Sequence, residues 1–117
     1  IPNNDSNNQI DHSLALKVAD EVVRIETNLS RMDSSIKGHK PLSKAVERIR
    51  NNFLAKGYEM VDMLNKPYQD GMKASVTYVT DENLKEGEQI IAKIIKPQVN
   101  YNGVMIQTAQ IEVSQNE

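Results

Sequence analysis

From Leu14 onward the apolar positions follow two different periods. Val18, Val22, Ile25, Leu29 and Met32 succeed one another at steps of four, three, four and three, the spacing of one face of an α-helix. Leu14 extends the stripe upstream, and Asp11 is placed to cap the first turn with its short carboxylate. This seam predicts a helix running to about Met32. Gly38 and Pro41 then break the register, with Pro41 fitting the first position of a second helix. Leu42, Val46, Ile49 and Phe53 repeat helical steps up to Gly57, which suits a left-handed helix terminus.

Beyond Gly57 the period shortens. Runs rich in β-branched and aromatic residues, divided by turn residues, predict four strands over residues 58–64, 73–79, 89–99 and 104–114. Ile90, Ile91, Ile94 and Ile95 also fit a helix, but four isoleucines between Gly87 and Pro97 predict a strand, bulged or bent. In the last run, VMIQTAQIEVS, the residues Met105, Ala109, Ile111 and Val113 share one face and read as core. Val104, Ile106, Thr108, Gln110 and Glu112 share the other, which is polar except beside the turn residues Asn102 and Gly103. Apolar Val104 and Ile106 at the tip of a sheet mark a contact surface. Cover by a loop or by the helix pair is the equal alternative.

Two helices joined by a short loop make an antiparallel hairpin. Leu16 and Val23 form a second stripe beside the main seam of the first helix, so that helix needs two neighbours. Each apolar side chain left exposed forgoes roughly 1.5 to 3 kcal/mol of burial. Either a second copy completes a four-helix bundle or the chain's own C-terminal region covers the stripe; the heptad-like steps favour the second copy. The expected fold is α+β. Residues 1–10 are a flexible lead-in, and residues 11–57 a helix hairpin that forms a dimeric four-helix bundle. Its expected dimer seam is Val18, Val22, Ile25, Leu29, Leu42, Val46, Ile49 and Phe53, and residues 58–117 follow as a small all-β domain.

Composition narrows function mainly by exclusion. With 117 residues the chain is one compact domain, or a small core with an appendage that relies on a partner. Fourteen basic against 16 acidic residues leave a net charge of −2, too little to attract nucleic acid or an anionic membrane without specificity. The absence of cysteine excludes disulfides, thiol catalysis and thiolate metal ligation. No apolar run approaches the roughly 20 residues of a membrane span, and Ile1-Pro2-Asn3-Asn4 does not open a signal peptide. A soluble chain is expected, and its first residue, Ile rather than Met, reads as the start of a trimmed piece of something longer.

No constellation for catalysis emerges. His12 and His39 have no carboxylates at ligand spacing and read as surface residues, so no metal is expected. Gly57, Gly71, Gly87 and Gly103 stand singly at turns, whereas a phosphate cradle needs several together. Asp81, Glu82, Glu86 and Glu88 lack calcium-loop spacing, hold Lys85 in their midst and read as a solvated loop. Tyr58, Tyr68, Tyr78 and Tyr101 fit a small core better than a platform for nucleobases. Neither enzyme activity nor a cofactor is expected.

The order of the parts carries a resemblance. LALKVADEVVRIETNLSRM looks like an LLPVLDNLERAL-type bundle helix, and LSKAVERIRNNFLAKGYEMVD is similar to the helix that follows it and ends in Gly before a β domain. KPYQDGMKASV resembles an F-D-P-x-x-H-x-A-V lead into the sheet, with Tyr68 for the aromatic residue and Val76 for the closing Val. Over residues 14–114 the chain thus resembles GrpE, the nucleotide exchange factor of DnaK-type chaperones. The resemblance implies a cytoplasmic homodimeric co-chaperone that binds no nucleotide itself. Its β domain would wedge into the chaperone's ATPase lobe through Asn102, Gly103, Val104 and Ile106 and favour ADP release.

Several positions depart from the family. Val104 and Gln107 stand where the family has arginines, Lys73 where it has His and Gln98 where it has the Gly of a G-Y pair; its long N-terminal helix is missing. Loss of one charge-assisted contact removes about 1.5 to 3 kcal/mol. A second reading follows, in which a dimeric adaptor or assembly protein keeps the architecture without exchange activity.

Overall fold

Both helical seams form helices. In the computed structural model, which describes residues 10–116, helix α1 spans Ser13–Arg31 and helix α2 spans His39–Ala55. The expected lead-in, apart from Ile10, lies outside the described residues. His12, not Asp11, occupies the cap position of α1. Asp11 accepts bonds from the hydroxyl and the N–H of Ser13, which hold its carboxyl below the usual range. Helix α2 starts earlier than expected because Gly38, at φ 95°, turns the chain left-handed just before it. Pro41 then sits within the first turn, where its missing N–H has no intrahelical partner to lose.

Among the described residues six strands make two three-stranded sheets. Strands β1 (Tyr58–Met60), β4 (Val99–Tyr101) and β5 (Val104–Gln107) form an antiparallel sheet in the order β1-β4-β5. Strands β2 (Ala74–Thr80), β3 (Gln89–Lys96) and β6 (Ala109–Gln115) form the other in the order β2-β6-β3. Central β6 runs parallel to β2 and antiparallel to β3. The β3–β6 register shifts between Ile91 and Lys93 and again between Ile94 and Lys96, the bulging expected of the isoleucine run.

Three of the expected strands change. The run 89–99 divides at Pro97, which is buried and has no N–H for a ladder, and the chain crosses there from one sheet to the other. The run 104–114 divides at Thr108, where the chain crosses back. The division inverts the faces: Ala109, Ile111 and Val113 are core as expected, but Met105 is exposed, and Ile106 packs inward. The first run keeps strand pairing only over Tyr58–Met60. Its continuation then runs along the outer edge of β3, with Asn65 N–H donating to Ile91 O, Ile91 N–H to Lys66 O and Tyr68 N–H to Gln89 O at 2.8 to 3.0 Å.

The expected separation into a dimeric helix bundle and an all-β domain is not what the chain adopts. Val23, from the second stripe of α1, is only 2% exposed because it packs in one core with Met63 and with Ile91, Ile94, Ile111 and Val113 of the β2-β6-β3 sheet. Val22, Leu29 and Val46, expected in a seam between copies, are buried within the chain beside Ala19, Met60 and Val99. Helix α1 therefore joins both cores, and the chain's own C-terminal half supplies the neighbour that a second copy was expected to supply.

Polar bonds tie the same layers. Arg50 donates through Nε and Nη2 to both carboxylate oxygens of Glu26 at 2.5 and 2.7 Å, and through Nη1 to Met60 O at 2.6 Å. Those bonds with Glu26 raise the guanidinium pKa above its ordinary value. Gln107 Nε2 donates to Asp20 Oδ1 at 3.2 Å and to Pro97 O at 2.8 Å, fastening the end of β5 to α1 and to the crossing after β3.

Candidate protein-contact surface

The turn at the tip of the smaller sheet follows from two residues that accept a left-handed backbone. Asn102 at φ 48° and Gly103 at φ 87° close the hairpin between the paired residues Tyr101 and Val104, and positive φ at both central positions is the type I′ geometry that suits strand twist. The turn is also fastened at its base. Asn102 N–H donates to Gly57 O at 2.8 Å. Gly57 itself has φ 91°, and a Cβ there would run into the side-chain oxygen of Asn102. The predicted helix terminus is thus also the seat of the turn.

On this base Val104 stands 66% exposed and Met105 37% exposed, with Asn102 and Gly103 exposed beside them. Ile106 does not join them. It is half-buried and packs with the core shared by α1, α2 and the β1-β4-β5 sheet, because its face of β5 is the inner one. Met105 takes its place at the surface.

Behind the turn lies an aromatic cluster. Tyr58 and Tyr101, cross-strand partners, stack with centroids 4.8 Å apart. His12 lies 4.7 Å from the Tyr101 centroid, and its Nδ1 is 2.6 Å from the Tyr58 hydroxyl. Burial, with Tyr101 and Asp11 adding to it, pushes the Tyr58 hydroxyl pKa up. The cluster continues into an open groove of about 490 Å³ between the start of α1 and the end of α2, lined by Leu14, Val18, Phe53, Ala55, Lys56 and Tyr58. Leu14 on its rim is 75% exposed.

The residues expected in the dimer seam therefore separate. Val22, Leu29 and Val46 are internal, Ile49 is half-buried in the same core, Val18 and Phe53 line the groove, and Ile25 and Leu42 are exposed. The two histidines, read as surface residues, are half-buried and each is bonded: His12 to Tyr58, and His39 Nε2 to Leu29 O at 2.8 Å. The acidic loop serves its own backbone. Asp81 accepts from Asn83 N–H at 2.9 Å and Glu88 from Lys85 N–H at 3.0 Å.

Among the described residues no group of three or more His, Cys, Asp and Glu could hold a metal ion, and no helix is long and apolar enough to cross a membrane. The turn exposes Val104 and Met105, and the groove exposes apolar area with one cation, Lys56, in its lining; exposed apolar area of this kind is a general mark of contact surfaces. Sequence reasoning found the turn but missed Met105, the aromatic cluster and the groove. The available signal was that Tyr58 follows Gly57 and Tyr101 precedes Asn102, so one contact between turn and helix end brings both rings together. No protein-family model matches the chain, and no curated protein matches it in sequence.

Proposed function

We propose that the chain acts by binding another protein, and that it is a GrpE-like co-chaperone which binds the ATPase lobe of a DnaK-type chaperone in the cytoplasm and promotes ADP release. The observation that carries this reading is Val104, an apolar side chain two-thirds exposed on a turn held rigidly against the end of α2. It stands where the resemblance places the partner contact. Such a protein accelerates release by binding the open state of its partner more tightly than the closed one, and its effect is limited by that difference in affinity. A rigid turn serves this mechanism because little ordering is lost on docking.

A second reading rests on Gln107. Where the family has an arginine, this side chain points into the chain and clasps Asp20 and Pro97 O, so it offers no contact to a partner. This favours an adaptor that binds without exchanging nucleotide. Retention of the protein on an immobilised DnaK-type chaperone, measured with ADP and with ATP, tests the proposal. Retention in the ADP state that Val104→Asp abolishes is expected. Failure to bind in either state removes the chaperone from consideration.

A further inference from the structure

The two edges of the β2-β6-β3 sheet are treated differently. The outer edge of β3 is covered by residues 65–68, which bond to it through Asn65, Lys66 and Tyr68. The outer edge of β2 has no such cover: among the described residues its one strand partner is β6. Folded proteins blunt free edges with Lys, Pro, a bulge or a covering segment. Strand β2, ASVTYVT, holds no charge, no proline and no glycine, and it keeps an unbroken register with β6 over seven residues. Tyr78 and Val79 on it are 47% and 42% exposed. Such a strand is a template for another strand.

We propose that two copies of this chain pair through β2, antiparallel about Thr77, to make one continuous six-stranded sheet. The direction of the backbone groups fixes which residues face outward. Asp81 N–H donates to Gln115 O at 2.8 Å, so by alternation Ser75, Thr77 and Val79 turn their backbone groups to β6. Those of Ala74, Val76, Tyr78 and Thr80 turn outward. An antiparallel pair centred on Thr77 sets Val76 opposite Tyr78 of the second copy, and Ala74 opposite Thr80, so outward groups meet outward groups. Thr77 then faces its counterpart as the non-hydrogen-bonded pair, a favourable cross-strand match.

Charge selects both the occupant and the register. Lys73 and Asp81 flank β2, and neither takes part in an ion pair among the described residues. In the pairing about Thr77, Lys73 of each copy lies opposite Asp81 of the other, at both ends of the interface. A slip of two residues either way still matches outward groups but separates those charges. The interface thus complements itself, as a two-fold contact must. The Asn102–Gly103 turn belongs to the other sheet, so this proposal stands whether or not the chaperone reading does.

Sedimentation equilibrium of the chain from about 5 to 200 μM covers the affinities expected of a small interface. Dimerisation in this range is expected. Lys73→Asp and Asp81→Lys should each weaken it about tenfold, and the double variant should recover to within about threefold of the original, because each single change opposes like charges at both ends. Thr77→Lys, at an exposed position, sets two cations face to face and should abolish dimerisation while the far-UV spectrum and urea midpoint stay unchanged. Without any substitution, amide exchange at Val76 and Tyr78 should slow as concentration rises, while Ser75 and Thr77, already bonded to β6, do not change. A chain that is monomeric at about 200 μM, a dimer that Thr77→Lys leaves intact, or exchange at Val76 and Tyr78 that ignores concentration overturns the proposal.

Discussion

Replacing Arg50 by methionine removes three hydrogen bonds and keeps most of the side chain's volume. Two of the bonds go to Glu26 on α1 and one to the carbonyl of Met60 on β1, at 2.5 to 2.7 Å. The side chains of Arg50 and Glu26 are 23% and 25% exposed, so water only partly replaces what is lost. A charge-assisted bond contributes roughly 1.5 to 3 kcal/mol, and a partly buried carboxylate stripped of its cation costs several more, offset by whatever water reaches it. The expected net loss is about 2 to 4 kcal/mol for Arg50→Met and about 1 to 2 kcal/mol for Glu26→Gln, which keeps a hydrogen-bonding oxygen.

Because the two residues share the same bonds, their effects should not add. The double variant should lie within about 1 kcal/mol of Arg50→Met, a coupling of roughly 1 to 2 kcal/mol. Urea unfolding followed by circular dichroism measures each value, with the slope m unchanged if only stability has moved. A loss below about 0.5 kcal/mol for Arg50→Met, or a coupling near zero, would refute the role given to this pair as the tie between α1, α2 and β1.

Two further outcomes are expected. Val23→Ala, which removes two carbons from the side chain that packs α1 on the larger sheet, should cost about 2 to 3 kcal/mol within one cooperative transition; separate transitions for helices and sheets would contradict the shared core. Asp11 and Asp33 have carboxyls held below the ordinary value of 3.8 by bonds from Ser13 and Ser35. Their stabilising effect is therefore complete above that value and is lost as pH falls through the folded pKa. Asp11→Asn and Asp33→Asn should flatten the fall in melting temperature below about pH 4, and an unchanged acid slope would count against these bonds.

The parts of the fold visible in the sequence are those governed by local period. The steps from Val18 to Met32 and from Leu42 to Phe53 produced helices, and Asn102-Gly103 produced a hairpin turn, because each depends on residues close in the chain. What could not be seen depends on distant partners. Val23 lies on a stripe that any apolar neighbour could cover, and its neighbours Ile91 and Ile111 are far along the sequence, so the heptad-like steps pointed to a second copy instead. The run from Val104 to Ser114 alternates in a way that satisfies one long strand, and nothing local marks Thr108 as the crossing between sheets. The parity error that followed put Ile106 at the surface in place of Met105. The crossing at Pro97 was nearer to being readable, since a proline in a ladder has no N–H to give.

The turn that carries Val104 is the centre of the functional account, and the rate of ADP release addresses it most directly. A fluorescent ADP analogue bound to a DnaK-type chaperone is chased in the presence of this protein or of its Val104→Asp variant. Val104 makes no core contact and is largely exposed, so the variant leaves the fold intact and alters only the tip. Acceleration of release by the native chain that the variant loses is the expected result. A rate unchanged by the native chain at saturating concentration, or acceleration that Val104→Asp retains in full, would contradict the account.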